Sequence, residues 1–344
     1  MSGEDGPILA TVIPIFNEVK YIEKCLDSLI VQTLEPSKHM VLVLDGGSTD
    51  SSVEVVKRMI DYSKANGGPK ILLVNNPGKY VAEARNLALS ELPSSIELMV
   101  ELIGHCTVPK DHLSKRLEVW DRISENSSSA IAGLGVRVLP SDGAKTMIET
   151  WIEATLSSSF GSGSGQFDNF STTGETKVPA FCMHSRKAVE KIGGWDTDFI
   201  TSQDSDLSMR LQDSGFKLYR TNQTHVKMVK RTNFSSWIKM GYRYGFWRTK
   251  IIRKHPARHS KREFLPWIGV ILTLALLLSS TPYWYIPASL YSLVIFIEGL
   301  KFSIKWRKFS LLLGVPLSLF TLHVTFSIGL IGGLFRKGRA SNDR

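Results

Sequence analysis

Two apolar runs break off into polar residues that could meet a ligand. Ala10 to Phe16 leads into Asn17-Glu18, and Val41 to Leu44 leads into Asp45-Gly46-Gly47-Ser48-Thr49-Asp50. Asp45 offers a carboxylate acceptor, Gly46 and Gly47 let the backbone turn sharply beside a bound group, and Ser48 to Asp50 can cap a helix starting near Ser51. The same residue types also make an ordinary strand-to-helix turn, so this run alone leaves both readings open.

The stretch between the runs must position them. Tyr21, Ile22, Cys25, Leu26, Leu29 and Ile30 fall at helical spacing, so the unit reads strand, helix, strand, with both strands apolar enough to be covered on both faces. That predicts a parallel α/β sheet of Rossmann-like type. In such sheets ligands gather beyond the carboxyl ends of the strands, which puts Pro14 to Glu18 and Asp45 to Asp50 on one crevice.

Charge is segregated along the chain. The 42 Lys and Arg against 32 Asp and Glu give a net of +10. Residues 1–216 nevertheless hold 20 basic and 29 acidic side chains, whereas Lys217 to Arg262 holds 14 basic and no acidic ones. The basicity belongs to a neck. Because that neck runs into Leu265 to Ile297, which has no charged side chain, it points to a membrane surface rather than to nucleic acid.

Pro282 and Pro287 interrupt the uncharged run, predicting spans over about Leu265 to Thr281 and Pro287 to Phe302; Phe309 to Phe335 is long enough for a third. Basic groups at Arg253 to Arg262 and Lys301 to Lys308 predict a multi-pass membrane protein with its globular domain in the cytoplasm. Arg336 to Arg339 fits only if the last segment re-enters, so two and three spans both stay open. Expected domains are therefore 7–222, a basic interfacial neck 223–262 and a membrane region 263–338. Three cysteines, Cys25, Cys106 and Cys182, with no Cys-x-x-Cys, suit a reducing cytosol and give no zinc site. Met1 to Gly6 is short and polar, which predicts no secretory signal. Ser157 to Gly165 is rich in Ser and Gly and is expected to be a mobile substrate loop, part of a pocket-shaping stretch from Leu156 to Thr176.

The opening run resembles the family-2 glycosyltransferases, whose nucleotide-sugar domain begins with a Pro-containing strand ending in Asn-Glu and continues to a Gly-Gly-Ser-Thr-Asp turn. Three later runs extend the resemblance in order: Ala84-Arg85-Asn86, Gly193-Gly194-Trp195-Asp196, and Gln203-Asp204-Ser205-Asp206-Leu207 to Arg210-Leu211. It implies a GT-A domain with a mainly parallel sheet, followed by an interfacial helix and an α-helical membrane region. The segment Glu101-Leu102-Ile103-Gly104-His105 is similar to the Asp-Ala-His form of the succinoglycan-like exopolysaccharide branch.

The resemblance further implies roles. Pro14, Glu18, Asp45 and Arg85 would contact the nucleotide sugar, with Arg243 of the neck helix reaching a phosphate. Asp204 would be the general base. His105 takes the second ligand position of a degenerate Asp-x-Asp, with Ile103 in the first, and strand alternation leaves Glu101 as its partner toward Mn2+ or Mg2+. The expected enzyme is an inverting transferase using a UDP- or GDP-linked sugar and a polyprenyl-phosphate-linked or glycan acceptor. An inactive membrane scaffold and a processive polysaccharide synthase are the alternatives. A nicotinamide enzyme is disfavoured because no Gly-x-Gly-x-x-Gly follows the first strand.

Overall fold

β1 (Leu9–Ile15) and β2 (His39–Asp45) are buried along their whole length in the computed structural model, which describes residues 6–162 and 170–336. Between them α1 (Ile22–Ile30) buries Ile22, Cys25, Leu26 and Leu29, the stripe expected from its spacing. The two strands pair in parallel with Ile15 opposite Asp45, so both polar loops start side by side. α2 (Ser52–Ala65), β3 (Lys70–Asn75), α3 (Val81–Glu91) and β4 (Leu98–Glu101) continue the pattern, and β3-β2-β1-β4 is parallel throughout.

Past β4 the sheet becomes mixed. The chain continues through β5 (Cys106–Thr107), α4 (His112–Asn126), β6 (Ile131–Pro140), α5 (Met147–Ser157) and α6 (Ser159–Ser162). It then forms β7 (Gly174–Glu175), β8 (Met183–Ser185), α7 (Arg186–Lys191), α8 (Gln203–Asp213) and β9 (Lys217–Met228). The strand order is β3-β2-β1-β4-β8-β6-β9-β5, with β7 also on β9. β8 is antiparallel to both β4 and β6, whereas β6 and β9 are parallel. One apolar layer packs α1, α2 and α4 on the sheet through Leu26, Val56 and Leu113. The other packs α3 and α8 through Ala84, Ala88, Leu207 and Leu211 around Trp195. The mainly parallel α/β sheet expected from the sequence is the one observed.

This sheet unit comprises the chain up to Asp142 and the later stretch that ends at Val229. The remaining chain clusters as a second unit: Gly143 to Ser164, then everything from Lys230, with α9 (Phe234–Lys254), α10 (Leu265–Leu278), α11 (Ile286–Trp306) and α12 (Leu311–Phe335). The sheet unit thus omits a stretch that the expected domain 7–222 includes. The reason is packing: the Trp151 ring of α5 lies against Gly314 of α12, and Glu153 forms a 2.5 Å ion pair with Lys230 in which both side chains are 3% exposed. The Ser/Gly-rich loop expected from Ser157 falls partly on residues 163–169, outside the described residues; its described start is α6.

Within the second unit α11 and α12 are long and apolar enough to cross a membrane, and α10, at 14 residues, is shorter than the span expected for it. The chain turns instead at Ser279 to Tyr285, around Pro282. α9 and α12 meet backbone to backbone. A Cβ on Gly245 would stand 1.9 Å from the Phe326 carbonyl oxygen, whereas one on Gly269 of α10 would meet nothing within 4 Å. Gly245→Val should therefore lower the thermal midpoint by an amount equivalent to at least about 1–3 kcal/mol of overpacking. Gly269→Val should leave it unchanged, read by thermal unfolding in detergent.

Candidate functional site

The loops after β1 and β2 are stitched to each other. Asn17, held in the left-handed region at φ 56°, donates its N–H to Ser48 Oγ at 2.9 Å. Its side-chain oxygen accepts from the N–H groups of Thr49 at 2.8 Å and Asp50 at 3.3 Å. Glu18 N–H donates to Ser52 Oγ at 2.7 Å, and Val19 N–H to Asp50 Oδ2 at 3.2 Å. Asp50 also accepts from Ser52 N–H at 3.0 Å, an Asx-type bond just ahead of α2, whose N-cap position falls on Ser51 and carries no side-chain capping bond. Asp45 is buried and accepts from the N–H groups of Gly47 and Ser48, each at 3.1 Å, so its carboxylate shapes its own turn. Pro14 is buried within β1.

Glu18 takes a partner that sequence spacing does not announce. Its Oε1 lies 2.7 Å from His105 Nδ1, with side chains 16% and 28% exposed respectively. A side chain at Gly104 would push a Cβ to 2.8 Å from Glu18 Cγ, so the absence of a side chain there lets Glu18 lie under the turn. The backbone carbonyl of His105 accepts from Val229 N–H at 3.1 Å, pinning the turn to the end of β9. A carboxylate on one ring nitrogen fixes the tautomer and orientation of the other.

Glu101 does not join His105 as a metal ligand. It is the last residue of β4 and 5% exposed, with its oxygens 3.1 Å from Arg85 Nη2 and 3.2 Å from His184 Nε2. Burial raises the carboxyl pKa, but the two cationic partners outweigh it and hold it below the usual range. Burial likewise disfavours the His184 imidazolium. The Cys182 sulfur and Glu101 beside it override that cost and push its pKa up to about 10. Among the described residues no three His, Cys, Asp or Glu side chains come together as a metal cluster. Burial pushes the Cys25 thiol up to about 12 and raises that of Cys106 as well, which disfavours their thiolates.

A second constellation joins the three later motifs. Arg210 Nε donates to the fully buried Asp206 at 2.8 Å, while its other nitrogens donate to the carbonyls of Ile192 at 3.0 Å and Gly194 at 2.7 Å. Asn86 holds the next residue from both sides, donating to Trp195 O and accepting from Trp195 N–H, each at 2.8 Å. Gly194 has φ 76°, and a Cβ there would stand 2.4 Å from Asn86 Oδ1. Asp204 lies in the first turn of α8, after Ser202 in the left-handed region at φ 69°. Strained backbone of this kind persists where the surroundings over-determine it. Arg210 was absent from the expected site, although the i,i+4 spacing from Asp206 signals the pair. Arg243 lies on α9 in the second unit; the other expected site residues all belong to the sheet unit.

Sheet order, loop placement and these linked turns define a GT-A type nucleotide-sugar domain. A mannosyltransferase from Pyrobaculum calidifontis, solved with GDP-Man and Mn2+, shares the fold with a TM-score of 0.60 at 16% identity, over 96% of this chain and 88% of that one. The family models for glycosyl transferase family 2 and glycosyl transferase family group 2 match residues 11–193 and 105–331. The chain belongs to glycosyl transferase family 2 and is a glycosyltransferase. It is 25% identical to the succinoglycan biosynthesis protein ExoA of Rhizobium meliloti over 74% of this chain and 73% of the relative. It is also 25% identical to a dolichyl N-acetyl-alpha-D-glucosaminyl phosphate 3-beta-D-2,3-diacetamido-2,3-dideoxy-beta-D-glucuronosyltransferase of Methanococcus voltae, over 95% of this chain and 97% of the relative.

His184 titrates higher folded than unfolded. Its contribution to stability is complete below its ordinary pKa and is lost as pH rises toward about 10. Unfolding free energy should fall between pH 7 and 10 with a component approaching about 1.4 kcal/mol per pH unit. His184→Gln should remove that component in denaturant titrations across the range.

Proposed function

We propose that this glycosyltransferase moves a sugar with inversion from a UDP- or GDP-linked donor to a lipid-linked or glycan acceptor at a membrane surface. The observation that carries the reading is the Asp206–Arg210–Gly194 tie, joined by Asn86 to Trp195, which fixes the start of α8 and with it Asp204. In the proposed reaction the acceptor hydroxyl oxygen attacks the anomeric carbon and Asp204 accepts its proton. The bond to the nucleoside diphosphate breaks with its electron pair on the leaving oxygen.

Pro14, Asp45 and Arg85 border the donor in this reading. Arg85 retains Nε and Nη1 buried and without a hydrogen-bond partner among the described residues, as suits a group that meets a ligand oxygen. Arg243 is assigned to a phosphate, of the donor or of a lipid carrier. The lipid-linked acceptor is supported by the dolichyl phosphate in the name of the Methanococcus voltae relative.

The residues fit a divalent cation carried largely by the diphosphate itself. His105 would hold it through Nε2 and Glu18 would keep the imidazole in the competent tautomer. When bound, the ion supplies charge neutralisation of the leaving diphosphate, and a nitrogen ligand favours manganese over magnesium. Glu18 is thereby a positioning residue in this reading and not a donor contact.

Turnover of a panel of UDP and GDP sugars by detergent-solubilised protein tests the reading. Asp204→Asn is expected to lower kcat by about 10²–10⁴-fold with little change in donor KM, and an unchanged kcat rules the base out. Glu18→Gln should weaken Mn2+ binding, followed by electron paramagnetic resonance in the presence of nucleoside diphosphate, by about 10–100-fold. An affinity equal to wild type would remove Glu18 from the metal site.

A further inference from the structure

We infer that the apolar helices of the second unit enter one leaflet of the membrane and return, so that no described helix crosses it. The inference rests on the membrane association proposed above and concerns how deep that association goes. Its starting point is a constant separation. Trp237 Nε1 donates to Ser318 O at 3.0 Å, Thr249 Oγ1 to Leu330 O at 2.8 Å, and Arg253 Nη2 to Leu334 O at 3.1 Å; every pair is 81 residues apart. A constant offset means that α9 and α12 run parallel, in the same direction and in register, and therefore share one tilt and one depth.

That pairing decides the orientation of α12. At about 1.5 Å per residue it is long enough to cross a hydrocarbon core of roughly 30 Å. α9, however, carries Lys239, Arg243, Arg248, Lys250, Arg253 and Lys254 and no acidic residue. A crossing α12 would draw cations along α9 through the whole core, which membranes strongly disfavour. Both helices must lie near the headgroups. The exposed surface of α12 agrees: Leu313, Leu317, Phe320, Val324, Ile328, Ile331 and Phe335 recur at helical spacing as one stripe. The opposite side, with Leu311, Val315, Leu319 and Leu322, is buried. One apolar side on a helix flanked by cations fits the headgroup and acyl boundary of an anionic leaflet.

Neither of the other two helices offers an uncharged stretch long enough to cross: α10 has 14 residues, and α11, 21 residues in all, is charged from Glu298 onward. α11 runs antiparallel to the first half of α12. Gly299 faces the Leu312 carbonyl and Pro316, and Tyr291 OH lies 2.9 Å from His323 Nδ1. Its uncharged part ends at Glu298, leaving Ile286 to Ile297, about 18 Å of helix, while α10 gives about 21 Å. Apolar segments of this length are those of re-entrant or interfacial helices. In this arrangement the basic residues Arg253 to Lys261, those at 301–308 and Arg336 share one membrane face, which removes the conflict that three spans create for the last of them.

Cysteine labelling of the full chain in sealed vesicles of known orientation tests this. Cys25, Cys106 and Cys182 are buried, so the native background is low. Ser279→Cys, in the turn between α10 and α11, Ser310→Cys before α12 and Ser341→Cys near the end are each exposed to a membrane-impermeant maleimide. Tyr283→Cys repeats the turn reading should Ser279→Cys fail to accumulate. The expected result is labelling at 310 and 341 from the same side, with the turn labelled from that side or only after detergent. Labelling of the turn, or of 341, from the side opposite to 310 overturns the inference while leaving membrane association intact. Release of the protein by alkaline carbonate overturns both.

Discussion

A carboxylate with almost no access to water, held between two cations, is the constraint on which the sheet unit depends. Removing Glu101 from water is unfavourable unless compensating charges are fixed in place, and Arg85 and His184 supply them from α3 and β8. The guanidinium of Arg85 also sits 5.8 Å from the Trp195 ring, whose edge meets His184 at the same separation. One buried ion therefore ties the end of a central parallel strand to the helix, the antiparallel strand and the glycine turn around it. β8 is the strand that interrupts the parallel order, and His184 is its charged link to β4.

With that anchor in place, most of the polar residues in the recognisable motifs serve one another. Asn17 satisfies the loop after β2, Asp45 satisfies its own turn, and Asp206 seats the arginine that holds the glycine turn. Buried polar groups must find partners, and these find them in the neighbouring motif. Two nitrogens of Arg85, Nε and Nη1, keep a bonding capacity that no described residue uses. Such networks make the loops rigid before substrate arrives, which is what positioning chemistry needs.

What was legible in the sequence was what periodicity encodes. The strand-helix-strand opening, the buried stripe of α1 and the adjacency of the loops that carry Asn17 and Asp45 follow from local spacing and are observed. The partners of charged side chains did not follow, because they come from distant elements. Strand alternation puts Glu101 and Ile103 on one face but is silent about Arg85 and His184, which reach the carboxylate from a helix and from a later strand. Glu18 and His105 are 87 residues apart, with only Gly104 hinting that a side chain must fit beneath the turn. α5 carries no local sign that it belongs with α12, since its seat is a glycine surface far along the chain.

The placement of α5 has a consequence for how this protein comes into being. Its Trp151 rests on Gly314, and the segment just after it is held by His323, whose Nε2 lies 3.0 Å from the Phe160 carbonyl, 163 residues away. At roughly 5–20 residues per second a ribosome needs on the order of ten to thirty seconds to reach that partner. For that interval α5 has left the exit tunnel without the surface that receives it. Birth of the second unit is therefore not a simple N-to-C progression: an early helix waits for α12, and a nascent chain interrupted before α12 carries an apolar segment without its seat.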